Sequence, residues 1–117
     1  MTGVQTCALP ICSLYGAVTH AYGQTGIPIL VTEHGLENAD DALRATFIPE
    51  ALEGLRDAMD EGVPVLGYTY WSLLDNFEWI FGYTKFYGLH SVDRTTFDRI
   101  AKPSAAVYGA IARANSI

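Results

Sequence analysis

Residues 28–35, "PILVTEHG", join an apolar run to an acid, a histidine and a glycine. The run is short and β-branched, and Pro28 stands at its start, where a missing backbone N–H does least harm to a strand. It therefore predicts a buried strand that ends at Glu33. Ligands of α/β folds gather at the carboxyl ends of strands, so Glu33 is a candidate functional residue.

Helical patterns stand on both sides of this strand. Apolar residues recur at helical spacing between residues 14 and 22, and Gly26 then predicts that the helix has ended. A second helix is predicted between Asp40, whose charge suits the positive end of a helix, and Gly62. Pro49 is expected to kink or split this helix because proline removes one backbone donor.

The rest of the chain predicts one more strand and one more helix. Residues 63–72, "VPVLGYTYWS", are hydrophobic on both faces, and residues 102–115, "KPSAAVYGAIARAN", place Pro103 in the first turn of a helix. Strand, helix, strand and helix in this order imply a parallel sheet. Two strands cannot cover both faces of such a sheet, and a barrel of eight strand and helix units needs about 250 residues. The chain would then supply the last quarter of a barrel.

The first twelve residues, "MTGVQTCALPIC", differ in character from the segment that begins at Ser13. We interpret residues 1–12 as a non-native leader, similar to read-through of a sequencing adapter, and residues 13–117 as the domain. Cys7 and Cys12 both lie in this opening, and we expect them to be free thiols.

Composition excludes several classes of protein. Half of the 117 residues are hydrophobic, which argues against disorder, and 7 basic against 13 acidic residues give a net charge of −6 without a basic cluster for nucleic acid. No apolar stretch approaches the roughly 20 residues of a membrane span, and the N-terminus lacks the features of a signal peptide. We therefore predict a cytoplasmic protein with neither nucleic acid nor membrane as a partner.

An aromatic and acidic segment, "WSLLDNFEWIFGY", occupies residues 71–83 directly after the second predicted strand. Indole rings stack on the apolar faces of sugars, and carboxylates bond the hydroxyl groups around the rim. The sequence has no phosphate-binding glycine loop, no Gly-x-Ser-x-Gly motif and no histidine spacing typical of a metal site. Acid-driven sugar chemistry without a metal or another cofactor is the function that this pattern favours.

Three segments together resemble a known family. "PILVTEHG", "GYTYWSLLDNFEWIFGYTKFYGLHSVD" and "KPSAAVYGAI" are similar to the C-terminal part of the family 1 glycoside hydrolases, the β-glucosidase family, over residues 14 to 114. The resemblance implies an α/β fold that is the C-terminal portion of a (β/α)8 TIM barrel, about its last two units and incomplete as a barrel. It also implies a β-glucoside or related oligosaccharide as substrate.

The family's motifs assign roles to five residues of this chain. Glu33 matches the catalytic nucleophile, which forms a covalent glycosyl-enzyme intermediate. Trp71 matches the tryptophan beside the bound sugar, Glu78 the glutamate that accepts hydrogen bonds from its outer hydroxyl groups, and Trp79 the indole that comes next. Tyr87 matches a position near C6 of the sugar.

Other interpretations compete with these roles. A single glutamate after a strand is usually a solvated loop residue, and Trp71 and Trp79 could fill core volume. Asp75 and Asn76 are expected to cap or turn the backbone. A last group, on the second helix, is interpreted as an ordinary solvated face without function: Arg44, Glu53 and Arg56.

The chain also departs from the family pattern. His34 replaces the usual asparagine beside the nucleophile, where an imidazole could change the hydrogen bonding of the carboxylate or point away from it. Lys85 and Tyr87 resemble the phosphate-binding pair of 6-phospho-β-glycosidases, whereas the carboxylate of Glu78 would repel a phosphate and favours an unphosphorylated glucoside.

The family's acid/base glutamate lies in an Asn-Glu-Pro motif, which this sequence does not contain. A retaining hydrolase needs that second carboxyl group. Three interpretations stay open: the nucleophile-bearing part of a β-glucosidase, a fragment of a 6-phospho-β-glucosidase, and a non-catalytic chain with at most weak carbohydrate binding. A dedicated carbohydrate-binding module ranks last, because two strands are a poor scaffold for a rigid pocket.

Overall fold

The computed structural model describes residues 13–117. The interpretation of residues 1–12 as a leader, and the state of Cys7 and Cys12, lie outside the described residues. The elements, in chain order, are α1 (Ser13–Thr25), β1 (Ile29–His34), α2 (Asp41–Asp60), β2 (Val65–Tyr70), a 3₁₀ turn (Trp79–Phe81), β3 (His90–Val92), β4 (Arg99–Ala101) and α3 (Pro103–Ala114).

The predicted strand, helix, strand and helix order is confirmed. β1 and β2 pair in parallel, with α2 as the connection between them, and α3 comes after β2 in the chain. None of the helices between residues 13 and 117 combines the length and apolar character that crossing a membrane requires.

Helix α2 is continuous through Pro49, so the predicted split is wrong. Ile48 and Ala51, on either side of the proline, are fully buried. Packing on both sides therefore outweighs the roughly 3 kcal/mol that an internal proline costs a helix. The helix begins as expected, since the Asp40 carboxylate accepts a hydrogen bond from the Ala42 amide at 3.0 Å.

The hydrophobic core lies between the helices and one face of the β1–β2 sheet. We call this face, formed by Val31, His34, Tyr68 and Tyr70, the covered face. Val31 and Tyr70 are buried, and the tyrosine rings of β2 contact Tyr108 of α3. The buried helix residues that complete the core include Leu14, Val18, Phe47, Ile48, Leu52 and Leu55.

The opposite side of the same sheet is exposed. We call it the open face, formed by Leu30, Thr32, Glu33 and Thr69. Leu30 is 55% exposed, so the prediction of a buried strand holds for one face only. In the described residues each sheet has two strands, and a wider or closed sheet is not formed.

A hairpin of two three-residue strands precedes α3 and was not predicted. β3 and β4 pair antiparallel, and the Asp93 carboxylate accepts hydrogen bonds from the Thr95 and Thr96 amides in the turn between them. Leu74 forms a bridge with His90, so the hairpin lies against the segment after β2.

Candidate active site

Glu33 lies one residue before the end of β1, and a bulge places it on the open face. Val31 is paired with Tyr68 and His34 with Tyr70, so β1 advances three residues while β2 advances two. The extra residue allows Val31 and His34 both to lie on the covered face, and leaves Thr32 and Glu33 exposed between them. Bulges re-aim side chains in this way beside active sites.

The backbone of Trp71 lies directly beside the end of β1. The Trp71 amide donates to the His34 carbonyl at 2.9 Å, and a Cβ atom on Gly35 would stand 1.9 Å from the Trp71 carbonyl oxygen. Only glycine at position 35 allows this approach. The peptide bond between Trp71 and Ser72 is cis. The Trp71 backbone thus contacts the two residues that follow Glu33, as expected for parallel strands that end at one edge of a sheet.

Tyr87 is held at the same end of the sheet through its carbonyl group. This oxygen accepts hydrogen bonds from the Tyr70 hydroxyl at 3.1 Å and from the Ser72 amide at 3.3 Å. Glu33, Trp71 and Tyr87 therefore all belong to the region where β1 and β2 end.

Glu78 and Trp79 lie in the 3₁₀ turn beyond this region. The Glu78 amide donates to the Gly82 carbonyl at 2.7 Å, so the turn closes on itself. Trp79 is 79% exposed and Trp71 is 38% exposed. In the described residues neither indole belongs to the hydrophobic core.

Residues 84–87 are bound to the loop after β1. The Phe86 amide donates to a Glu37 carboxylate oxygen at 3.4 Å, and the Asn38 amide donates to the Phe86 carbonyl at 3.2 Å. Lys85 Nζ lies 3.9 Å from the other Glu37 oxygen and 5.0 Å from the centre of the Phe81 ring. The charge of Lys85 already has an acidic neighbour in the chain.

His34 points away from the open face. Its Nδ1 atom is 2.9 Å from the Tyr68 hydroxyl, and its ring stacks on Phe47 with centroids 5.2 Å apart. Burial lowers the pKa of the imidazole. Of the two orientations considered for this histidine, the structure has the one that points away from Glu33.

The prediction that Arg44 is an ordinary solvated residue is wrong. Arg44 is fully buried, whereas Glu53 and Arg56 are exposed as expected. Its guanidinium pairs with Asp41 at 2.6 Å and donates to three backbone carbonyls. The missed signal is spacing: Arg44 precedes Phe47 and Ile48 by three and four residues, so it lies on the buried stripe of α2.

Asp75 and Asn76 support the backbone, as predicted. Asp75 pairs with Lys102 at 2.8 Å and accepts from the Gly88 amide at 2.8 Å. A Cβ atom on Gly88 would stand 2.1 Å from the Asp75 amide nitrogen, so the two segments are in close contact. Asn76 donates to Ser72 and to the Leu74 carbonyl.

Between residues 13 and 117 no group of three or more His, Cys, Asp or Glu side chains could hold a metal ion. An exposed carboxylate at a strand end, with the backbones of a tryptophan and a tyrosine held at the same end of the sheet, is suited to a polar ligand that also has apolar faces.

Comparison with known proteins gives one family. The model of glycosyl hydrolase family 1 matches residues 3–117. Among curated relatives, a β-galactosidase of Sulfolobus acidocaldarius is 36% identical over 104 residues, which cover 89% of this chain and 21% of the relative. A bifunctional β-D-glucosidase/β-D-fucosidase of Bifidobacterium breve is 39% identical over 92 residues, covering 68% of this chain and 20% of the relative.

Solved structures show the same likeness. The apo structure of β-glucosidase 1317 matches with a TM-score of 0.89 and 44% identity, over 93% of this chain and 27% of the neighbour. A β-glycosidase from Pyrococcus horikoshii matches with a TM-score of 0.88 and 40% identity, over 92% and 25% of the two chains. The chain thus spans about a quarter of these structures, and the predicted fold class, part of a TIM barrel, is confirmed.

Proposed function

The chain belongs to glycosyl hydrolase family 1, and on that premise we propose that it carries the nucleophile of a retaining β-glucosidase. The observation that supports this most directly is the exposed position of Glu33 at the end of β1, next to the backbone of Trp71. A carboxylate there is held by a strand that is hydrogen-bonded to its neighbour, so its position is fixed before substrate arrives.

In the proposed reaction, a Glu33 carboxylate oxygen attacks the anomeric carbon of a β-D-glucoside. The bond from that carbon to the aglycone oxygen breaks, and the aglycone leaves with a proton from a second carboxyl group. Water, deprotonated by the same second group, then displaces Glu33 and releases glucose with retained configuration. The two carboxyl groups of a retaining enzyme stand about 5–5.5 Å apart.

The second carboxyl group is proposed to come from outside residues 1–117. The sequence contains no Asn-Glu-Pro motif, and Glu78 belongs to a separate turn that is closed by its own backbone hydrogen bonds. By this proposal the chain alone lacks the general acid and is inactive. Trp71, Glu78, Trp79 and Tyr87 would contact the sugar.

An unphosphorylated sugar suits the site better than a 6-phosphate. Lys85, which would have to bind the phosphate, lies within 3.9 Å of Glu37, and Glu78 adds a further negative charge. The Glu37 carboxylate beside Lys85, together with the Glu78 carboxylate that the resemblance places at the sugar, raises the electrostatic cost of a dianion. Equal or faster hydrolysis of the 6-phosphoglucoside would reverse this preference.

The experiment joins residues 13–117 to the N-terminal part of β-glucosidase 1317, replacing the matching quarter of that structure. The hybrid is treated with an activated 2-deoxy-2-fluoroglucoside, which forms a glycosyl-enzyme intermediate that is hydrolysed slowly. The labelled protein is then digested for mass spectrometry. We expect the label on the peptide that contains Glu33. Glu33→Gln should lower turnover of an aryl β-glucoside at least about a thousandfold, since the nucleophile is removed.

Glu53→Gln is the matched control, because it removes one exposed carboxylate from the same chain. It should leave turnover unchanged. A label on another residue, or full activity of Glu33→Gln, would refute the assignment. Turnover by the 117-residue chain alone, lost in Glu33→Gln, would show instead that the chain supplies both carboxyl groups.

A further inference from the structure

We propose that Arg44 is a positioning residue, which locks the loop after the nucleophile strand to the segment that carries Lys85 and Tyr87. This inference rests on the proposed function for its catalytic meaning. The inference is based on the contacts of the guanidinium, which reach the loop after β1 on one side and Phe86, 42 residues after Arg44 in sequence, on the other.

One side of the lock is the loop after β1. Arg44 Nη2 donates to the Asn38 carbonyl at 2.6 Å and to the Leu36 carbonyl at 3.4 Å. Leu36 is three residues beyond Glu33, so these bonds hold the chain directly after the candidate nucleophile.

The other side is the segment 84–87. The same Nη2 atom donates to the Phe86 carbonyl, which also accepts the Asn38 amide. Phe86 stands directly before Tyr87, which the family resemblance places near C6 of the sugar. One guanidinium group therefore contacts both the nucleophile loop and this part of the proposed sugar site, and adds to the direct bonds between them.

Burial makes the lock rigid. Arg44 is fully buried, and its Nε atom has no hydrogen-bond partner. Moving the side chain would leave the buried Nη donors and the carbonyls unpaired as well, which is costly, so the side chain is held where it reaches the carbonyls. Lysine reproduces only part of this arrangement, because an ammonium group lacks the planar fork that pairs Nη1 with Asp41 while Nη2 reaches the carbonyls.

A second bridge runs parallel to the first. The Tyr70 hydroxyl donates to the Tyr87 carbonyl at 3.1 Å and accepts from the Leu36 amide at 3.4 Å. The buried ring of Tyr70 thus joins the same two segments from the covered face. Removing Arg44 should loosen them without freeing them completely.

The test on the 117-residue chain is amide hydrogen exchange measured by NMR. In Arg44→Met we expect the Asn38 amide, which donates to Phe86, to exchange at least tenfold faster, while the amide of Leu55 in the core of α2 keeps its rate. Arg56→Met, which removes an exposed arginine from the same helix, should change neither. Unchanged exchange at Asn38, or equal acceleration at Asn38 and Leu55, would overturn the proposal.

Arg44→Lys keeps the charge and serves if Arg44→Met fails to fold. It should also raise the Asn38 exchange rate, by a smaller factor. In the hybrid enzyme, Arg44→Lys should lower kcat/KM for an aryl β-glucoside about tenfold and slow fluoroglucoside labelling of Glu33, whereas Arg56→Lys should do neither. An inactive hybrid would refute the proposed function. The exchange rate of the Asn38 amide would still test whether Arg44 holds the two segments together. Unchanged kcat/KM and labelling in an active hybrid would refute its catalytic role.

Discussion

The two faces of the β1–β2 sheet differ in what holds them. The covered face is packed by α2 and α3, and its residues Val31 and Tyr70 are buried. The open face carries Leu30, Thr32 and Glu33 without such packing. Side chains on the covered face are therefore held by packing against the helices, whereas those on the open face are held only through the backbone of their own strand.

This difference separates stability from chemistry within one pair of strands. Burial of apolar side chains supplies the free energy of folding. An exposed carboxylate contributes little to that free energy and remains accessible to a ligand. Substitutions on each face test whether the two faces are as independent as this division implies.

The largest expected effect is the loss of core volume. Ile48→Ala should lower the free energy of unfolding by about 2–5 kcal/mol, because the isoleucine is fully buried and its removal leaves a cavity. Leu30→Ala removes as many carbon atoms from the open face and should cost less than about 0.5 kcal/mol. Urea unfolding of the chain measures both, and similar losses would refute the division.

A smaller effect is expected where the strand ends meet. Gly35→Ala forces a Cβ atom against the Trp71 carbonyl and should destabilise the chain by about 1–3 kcal/mol while displacing Trp71. Gly16→Ala is the control, since a Cβ atom there meets nothing within 4 Å inside α1. It should be neutral or stabilising by up to about 1 kcal/mol. Unfolding curves measure the change in stability, and Trp fluorescence measures the displacement. If Gly35→Ala changed neither, the close approach of Gly35 to the Trp71 carbonyl would be contradicted.

The smallest effect concerns pH on the covered face. Burial lowers the pKa of His34 below its ordinary value of 6.5, so the unfolded chain binds a proton that the folded chain does not. Stability from this group is therefore complete above pH 6.5 and declines as the pH falls through the window below it. His34→Asn should flatten this part of the stability profile. An identical slope in both proteins between pH 7 and 5 would rule out the contribution.

Asp41, the first residue of α2, affects stability in a different pH window. Burial opposes its ionisation, yet hydrogen bonds from Ser104 and Arg44 outweigh this and lower the pKa of the carboxyl group below 3.8. Stability from Asp41 is present above that value and is lost as the pH falls through the lower folded pKa. The two windows begin at different pH values, 6.5 for His34 and 3.8 for Asp41, so the loss of stability that begins nearer neutrality reports His34.

Much of the fold could be predicted from the sequence because its main elements have clear periods. The apolar spacing of α2, the β-branched run of β1 and the proline at the start of α3 each indicate one structure. The β3–β4 hairpin was missed because strands of three residues are too short to show a pattern. The continuity of α2 at Pro49 depends on the burial of Ile48 and Ala51, which is a property of tertiary packing and not of the local sequence.

The candidate site was predictable only in part. The position of Glu33 at a strand end, and its proximity to Trp71, follow from parallel strands that end at one edge. Arg44 was misassigned because its charge was given more weight than its spacing. The placement of Tyr87 depends on hydrogen bonds to Tyr70 and Ser72, which no local pattern indicates.

The bulge in β1 also determines how this strand should respond to insertions and deletions. In a regular strand beginning from Val31, alternation would turn Glu33 toward the helices and His34 away from them. Deletion of Thr32 would remove the extra residue and still leave the glutamate exposed and the histidine covered. The extra residue at position 32 can therefore be lost without changing the side of the sheet on which the carboxylate lies.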